Sequence, residues 1–131
     1  MKVDGTHHRT VWFSEEREGL VQIIDQRWLP FRFRIEDLET TVDLATSIRD
    51  MHVRGAGCIG ATAAHGMYLA ALEASREPGR FEELLREKAE LLLLTRPTAM
   101  NLKWAVDRQL AAIENTASID EAVATARRVP E

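Results

Sequence analysis

Residues 59–75 are small or apolar around almost their whole circumference: Ala61, Ala63, Ala64, Met67, Leu69, Ala70, Ala71 and Leu72 fall on every side of a helical projection. A helix without a polar face is buried between neighbours, so other elements must wrap around this one. Its alanines let those neighbours approach closely. In front of it stands Arg54-Gly55-Ala56-Gly57-Cys58-Ile59-Gly60, with three glycines in seven residues. This stretch reads as a glycine loop feeding the helix. Such a junction leaves backbone N–H groups unpaired and pointing outward. The helix dipole adds partial positive charge there, which suits an anion, typically phosphate. Arg54 at the mouth carries the forked guanidinium that grips phosphate oxygens. A tight turn beside a chance arginine would leave the same pattern.

Gly55, Gly57 and Gly60 also spell G-x-G-x-x-G. As a dinucleotide fingerprint that motif needs a strand before it and an acidic residue about 20 positions on. Neither is visible. Val42, Ala45, Ile48 and Met51 recur at threes, as on a helix, and the first acid afterwards is Glu73, still on the following helix. The dinucleotide reading is therefore rejected. The anion reading needs only the glycines and the helix start.

The N-terminal part reads as β. Residues 9–13 and 20–24 are rich in β-formers, and Phe31-Arg32-Phe33-Arg34-Ile35 alternates apolar and charged residues as a half-buried strand does. Three short strands need cover to be stable, and Trp12, Trp28, Phe31 and Phe33 are expected to glue them to the helices. From Thr40 the pattern becomes helical. Thr40 with Asp43 forms a weak capping box for a first helix ending near Met51. After Glu77-Pro78-Gly79 a third helix carries Phe81, Leu84, Leu85 and Leu92 on one side, with Glu82 and Arg86 as an exposed i,i+4 pair. Pro97 disfavours helix at the residue before it, so Thr95-Arg96-Pro97-Thr98 is a second helix junction. Arg96 there can leave the helical surface for a cleft, although its pattern alone favours an ordinary exposed junction arginine. Leu102, Ala105, Val106, Leu110 and Ile113 make the stripe of a fourth helix, and Ser118 with Glu121 caps a fifth. The expected class is α+β: a small antiparallel β-meander over residues 1–38, then a helical bundle of about five helices over residues 39–131.

Composition narrows the function classes. A net charge of −4 argues against a general nucleic-acid binder. One cysteine excludes an intrachain disulfide and a multi-cysteine zinc site, and fits a reducing, cytoplasmic compartment. No apolar run approaches the ~20 residues of a membrane span. His7, His8, His52 and His65 show no metal-ligand spacing, and His65 reads as a core histidine. Cys58, near a helix start, is of a type that becomes reactive, but no paired base accompanies it.

Several separated pieces together resemble a known family. Val53-Arg-Gly-Ala56, Ile59-Gly60, Thr95-Arg-Pro-Thr-Ala99, Asn101-Leu102, Trp104-Ala105 and Asp107-Arg108 are similar to the N-terminal region of the S-methyl-5-thioribose-1-phosphate isomerases, as are Met1 to Gly5 with Arg9-Thr10 and Trp12, and Ile24-Asp-Gln26 with Leu29-Pro30. That family shares its fold with regulatory subunits of translation initiation factor 2B and with ribose-1,5-bisphosphate isomerase. The resemblance implies a sugar-phosphate substrate bound by Arg54, Gly55, Ala56 and Arg96. It implies no cofactor and no metal. The family usually has proline where this chain has Gly57. Its catalytic cysteine and aspartate belong to a C-terminal Rossmann-like domain, so no catalytic residue is expected in this chain, and Cys58 does not match the family's cysteine. Expected partners are that catalytic domain, in cis or in trans, and further copies of the chain, with no nucleic acid and no membrane. A non-catalytic regulatory or ligand-binding module like the initiation-factor relatives is the alternative, and a residual fragment without independent function is a third reading.

Overall fold

Short strands open the chain, and one long helix organises the remainder. The computed structural model describes residues 2–3, 6–7, 11–28, 34–53, 55–96 and 98–130. Strands β1 (Lys2–Val3) and β2 (Thr6–His7) pair as a small antiparallel ribbon. Strands β3 (Val11–Phe13), β4 (Val21–Ile24) and β5 (Ile35–Leu38) form an antiparallel sheet in the order β3-β4-β5. Val11 lies opposite Ile23 and Phe13 opposite Val21, while Val21 lies opposite Leu38. Because side chains alternate across a strand, Val11 and Phe13 turn inward and Trp12 turns outward, where its indole N–H donates to Gln22 Oε1 at 3.0 Å.

That register corrects two expectations. Phe13, not Trp12, joins the sheet to the helices: its ring meets Tyr68 edge-on at 5.0 Å and lies 4.4 Å from His65. The third strand begins at Ile35, the residue where it was expected to end. Phe31 and Phe33 lie outside the described residues, and so do Arg9 and Thr10 of the expected first strand.

Among the described residues the bundle is made of five α-helices: α1 (Thr41–Arg49), α2 (Ala56–Ser75), α3 (Phe81–Thr95), α4 (Met100–Glu114) and α5 (Ile119–Arg128). The sheet and bundle together make the expected α+β fold. Thr40 caps α1 by accepting from Asp43 N–H at 3.0 Å. Ser118 caps α5 by accepting from Glu121 N–H at 3.1 Å, and Glu121 reaches back to Ala117 N–H. Helix α2 touches the other four helices and both β3 and β4. Ala63, Met67, Leu69, Ala70 and Ala71 on it are wholly buried. Its small residues set close spacing: a Cβ at Gly60 would lie 3.2 Å from the backbone oxygen of Asn101 on α4.

Arg127 docks α5, its guanidinium lying 4.7 Å above the Phe13 ring and 5.6 Å from that of Tyr68. The expected Glu82–Arg86 pair is not formed. Arg86 instead reaches Glu114 of α4 at 3.1 Å, and Arg80 pairs with Glu83. No helix among the described residues is long and apolar enough to cross a membrane.

Candidate anion site at the start of the central helix

Helix α2 begins three residues earlier than its apolar pattern alone predicts. Gly55 is its N-cap, with φ 92° and ψ 136°, and Ala56 is its first helical residue. Gly57 and Gly60 are therefore helical rather than parts of a flexible loop. The first bond of the helix runs from Ile59 N–H to Gly55 C=O at 2.9 Å. No intrahelical acceptor exists for the N–H groups of the first turn. Gly55 and Gly57 are both exposed, so those donors face outward with the positive end of the dipole. Only glycine reaches the Gly55 conformation without strain. Arg54, expected at the mouth of the site, lies outside the described residues.

Arg96 is the C-cap of α3, with φ −145° and ψ 78°, in the junction that leads into α4. Its side chain is half-buried, and among the described residues no carboxylate engages its guanidinium. The close approach of Gly60 to Asn101 brings the starts of α2 and α4 together. Between them lies a cavity of about 350 Å³, lined by Gly57, Gly60, Ala61 and Ala64 on one side and by Asn101, Trp104, Ala105 and Arg108 on the other. Arg108 lies over the Trp104 ring at 5.3 Å. The volume is in the range of small-molecule sites. Asn101 and Arg108 were not among the expected site residues. The signal for Asn101 was a glycine on a neighbouring helix needing a backbone close by, and no single-chain pattern reveals that.

The other candidates are accounted for in the packing. His65 is buried and its Nδ1 lies 2.7 Å from Ala61 C=O, as a core histidine does. Cys58 Sγ is half-buried, 3.9 Å from Gln26 Nε2 and 4.0 Å from Thr62 Oγ1. Just past the end of β4 lies a charged corner. Asp25, Glu36 and His52 bring possible metal-ligand atoms within 4.8 Å of one another. These groups are already paired: Arg27 forks onto both Asp25 oxygens at 2.6 and 2.9 Å, and His52 Nδ1 meets Glu36 Oε2 at 2.6 Å. Burial alone would push the Asp25 carboxyl up. The Arg27 side-chain and backbone hydrogen bonds, with the charges of Arg27 and His52, outweigh it and hold the carboxyl below its ordinary 3.8.

Comparison with known proteins agrees with this fold. The model of the Initiation factor 2 subunit family matches residues 52–129, more than half of the chain. The methylthioribose-1-phosphate isomerase of Paramagnetospirillum magneticum is 47% identical over 113 residues, covering 86% of this chain and 30% of that protein. The enzyme of the same name from Cereibacter sphaeroides is 44% identical over all 131 residues, which make up 34% of its length. The chain thus spans about a third of the curated relatives it matches. Among solved structures, 5-methylthioribose 1-phosphate isomerase from Pyrococcus horikoshii superposes with a TM-score of 0.83 at 34% identity, over 93% of this chain and 34% of that one. The delta subunit of translation initiation factor 2B from A. fulgidus gives the same TM-score of 0.83 at 32% identity, over 93% of this chain and 35% of that one.

Proposed function

The chain belongs to the Initiation factor 2 subunit family, and from that premise we propose that it forms the N-terminal, sugar-phosphate-binding portion of a methylthioribose-1-phosphate isomerase. The substrate phosphate sits on the outward N–H groups at Gly55, Ala56 and Gly57, and the guanidinium groups of Arg54 and Arg96 close on its oxygens. The sugar extends into the cavity beside Asn101. The observation that carries this reading is the exposed, positive-φ glycine N-cap of α2, on a helix whose Gly60 packs against Asn101 at the start of α4, the helix that follows Arg96.

Moving a proton between C1 and C2 of an aldose needs an acid and a base within hydrogen-bond reach of the substrate. No such pair borders Gly55 among the described residues, since Asp25 and Glu36 are held by Arg27 and His52. Binding and orientation are therefore this chain's part. Proton transfer belongs to the C-terminal catalytic domain of the relatives, joined in cis or in trans. The work falls within methionine salvage, in the cytoplasm.

Titration of the 15N-labelled chain with methylthioribose 1-phosphate tests the reading. Gly55 and Ala56 amide resonances move, Arg96→Ala weakens binding at least tenfold, and no ketose forms. Turnover by the chain alone would overturn the division of labour; unmoved Gly55 and Ala56 resonances would overturn the site. A regulatory module is the second reading, favoured by the equal superposition on the factor 2B delta subunit. It predicts that adding the catalytic domain of a relative restores no turnover.

A further inference from the structure

Gly55 is bracketed by contacts from one buried residue. Gln26, 8% exposed, lies two residues past the end of β4. Its backbone N–H donates to His52 C=O at 2.7 Å, on the chain entering α2. Its side-chain amide faces Cys58 Sγ at 3.9 Å, in the first turn of α2 itself. The same residue thus holds the chain three residues before Gly55 and three residues after it.

A second tether acts on the entering side. The His52 ring, 11% exposed, is gripped by Glu36 of β5 at 2.6 Å. Its backbone N–H bonds back to Ser47 C=O at 2.8 Å. Met51 just before it, with φ 61°, is the left-handed residue of the cap that ends α1, its N–H bonding to Ile48 C=O at 3.3 Å.

We propose that Gln26 and the His52–Glu36 pair form a clamp by which the sheet fixes the N-cap of α2, making Gln26 and His52 positioning residues for the anion site. A helix start binds an anion well only when its first N–H groups point to one place. Gly55, having no side chain, offers them no side-chain cap. The clamp supplies that order from the sheet. Its consequence for phosphate binding rests on the function proposed above; its effect on the helix start does not.

Amide hydrogen exchange separates the two. The Ile59 N–H is protected by its bond to Gly55 C=O and reports the N-cap, while Met67 N–H in mid-helix reports global opening. Two variants are used, Gln26→Met, which keeps bulk beside Cys58, and Glu36→Gln, at a half-exposed position where folding is tolerant. In each, Ile59 exchange is expected to quicken at least tenfold with Met67 unchanged, and inorganic phosphate to bind at least threefold more weakly. Unchanged Ile59 exchange in both variants would overturn the clamp. Equal acceleration of Ile59 and Met67 would overturn it too, since the contacts would then serve stability as a whole. If phosphate fails to bind the unaltered chain, the anion site falls, and the exchange rates still decide the clamp.

Discussion

Single residues at the helix start carry separable costs. At Gly55 a Cβ would meet nothing within 4 Å, so a larger side chain is opposed by the backbone and not by space. Gly55→Ala is expected to cost about 1–3 kcal/mol in urea unfolding, and to weaken phosphate binding as well. Asp25 gives a pH signature. Its carboxyl is lowered in the folded state, so its contribution is present above the ordinary value of 3.8 and is lost as pH falls through the folded value. Arg27→Met should therefore destabilise by about 1–2 kcal/mol at neutral pH, modest because Arg27 is itself half exposed. The gap to the unaltered chain should close below about pH 4, and a constant gap in urea midpoints would remove the ion pair as its cause. Gly55 was legible as part of a glycine turn ahead of the small-residue helix, though not as its N-cap. The helical placement of Gly57 and Gly60 was not. Glycine in a helix is locally unfavourable, and at Gly60 only the proximity of Asn101 explains it. Gln109 escaped in the same way: on the buried stripe of α4, it donates to Ala64 C=O at 2.8 Å and Ala126 C=O at 2.7 Å, across two other helices.

Among the elements, caps built from neighbours in sequence were readable and those built across the fold were not. Thr40 and Ser118 cap as their spacing predicts. The start of α1 has a second cap that no spacing announces. Glu73, near the end of α2, accepts from Thr41 N–H at 2.9 Å and Thr41 Oγ1 at 2.8 Å, and pairs with Lys88 of α3 at 2.9 Å. One carboxylate therefore binds three helices, with its charge against the positive end of α1. Glu73→Gln is expected to lower stability by about 1–3 kcal/mol, seen in thermal unfolding, and Lys88→Met by less. A loss confined to Lys88→Met would show that the ion pair, not the cap, matters. Strand β5 was legible only in part: alternation marked residues 31–35, of which 31–33 lie outside the described residues, and the described ladder runs from Ile35 to Leu38, where pairing with β4 places Leu38 against Val21 in the core. Register is set by burial of one face, and Leu38 is the residue that fills it.

For the whole molecule, exposed apolar surface borders the candidate site at Trp104. Leu94, Met100 and Trp104 are 65%, 76% and 63% exposed on the consecutive helices α3 and α4. Large apolar side chains gathered in one region mark association surfaces. The weight-average mass in sedimentation equilibrium should rise above 14.8 kDa with concentration in the unaltered chain and remain at the monomer value in Trp104→Lys. A flat mass in the unaltered chain would remove self-association from this face. The sequence by itself determined the class of fold, the central buried helix and two caps. These come from periodicity and backbone sterics, which act between residues a few positions apart. The tertiary structure decided where α2 begins, which aromatic joins sheet to bundle, how Arg86 and Glu73 are paired, and which residues hold Gly55 in place. Those outcomes depend on groups brought together from distant parts of the chain, where burial and close approach outweigh local preference.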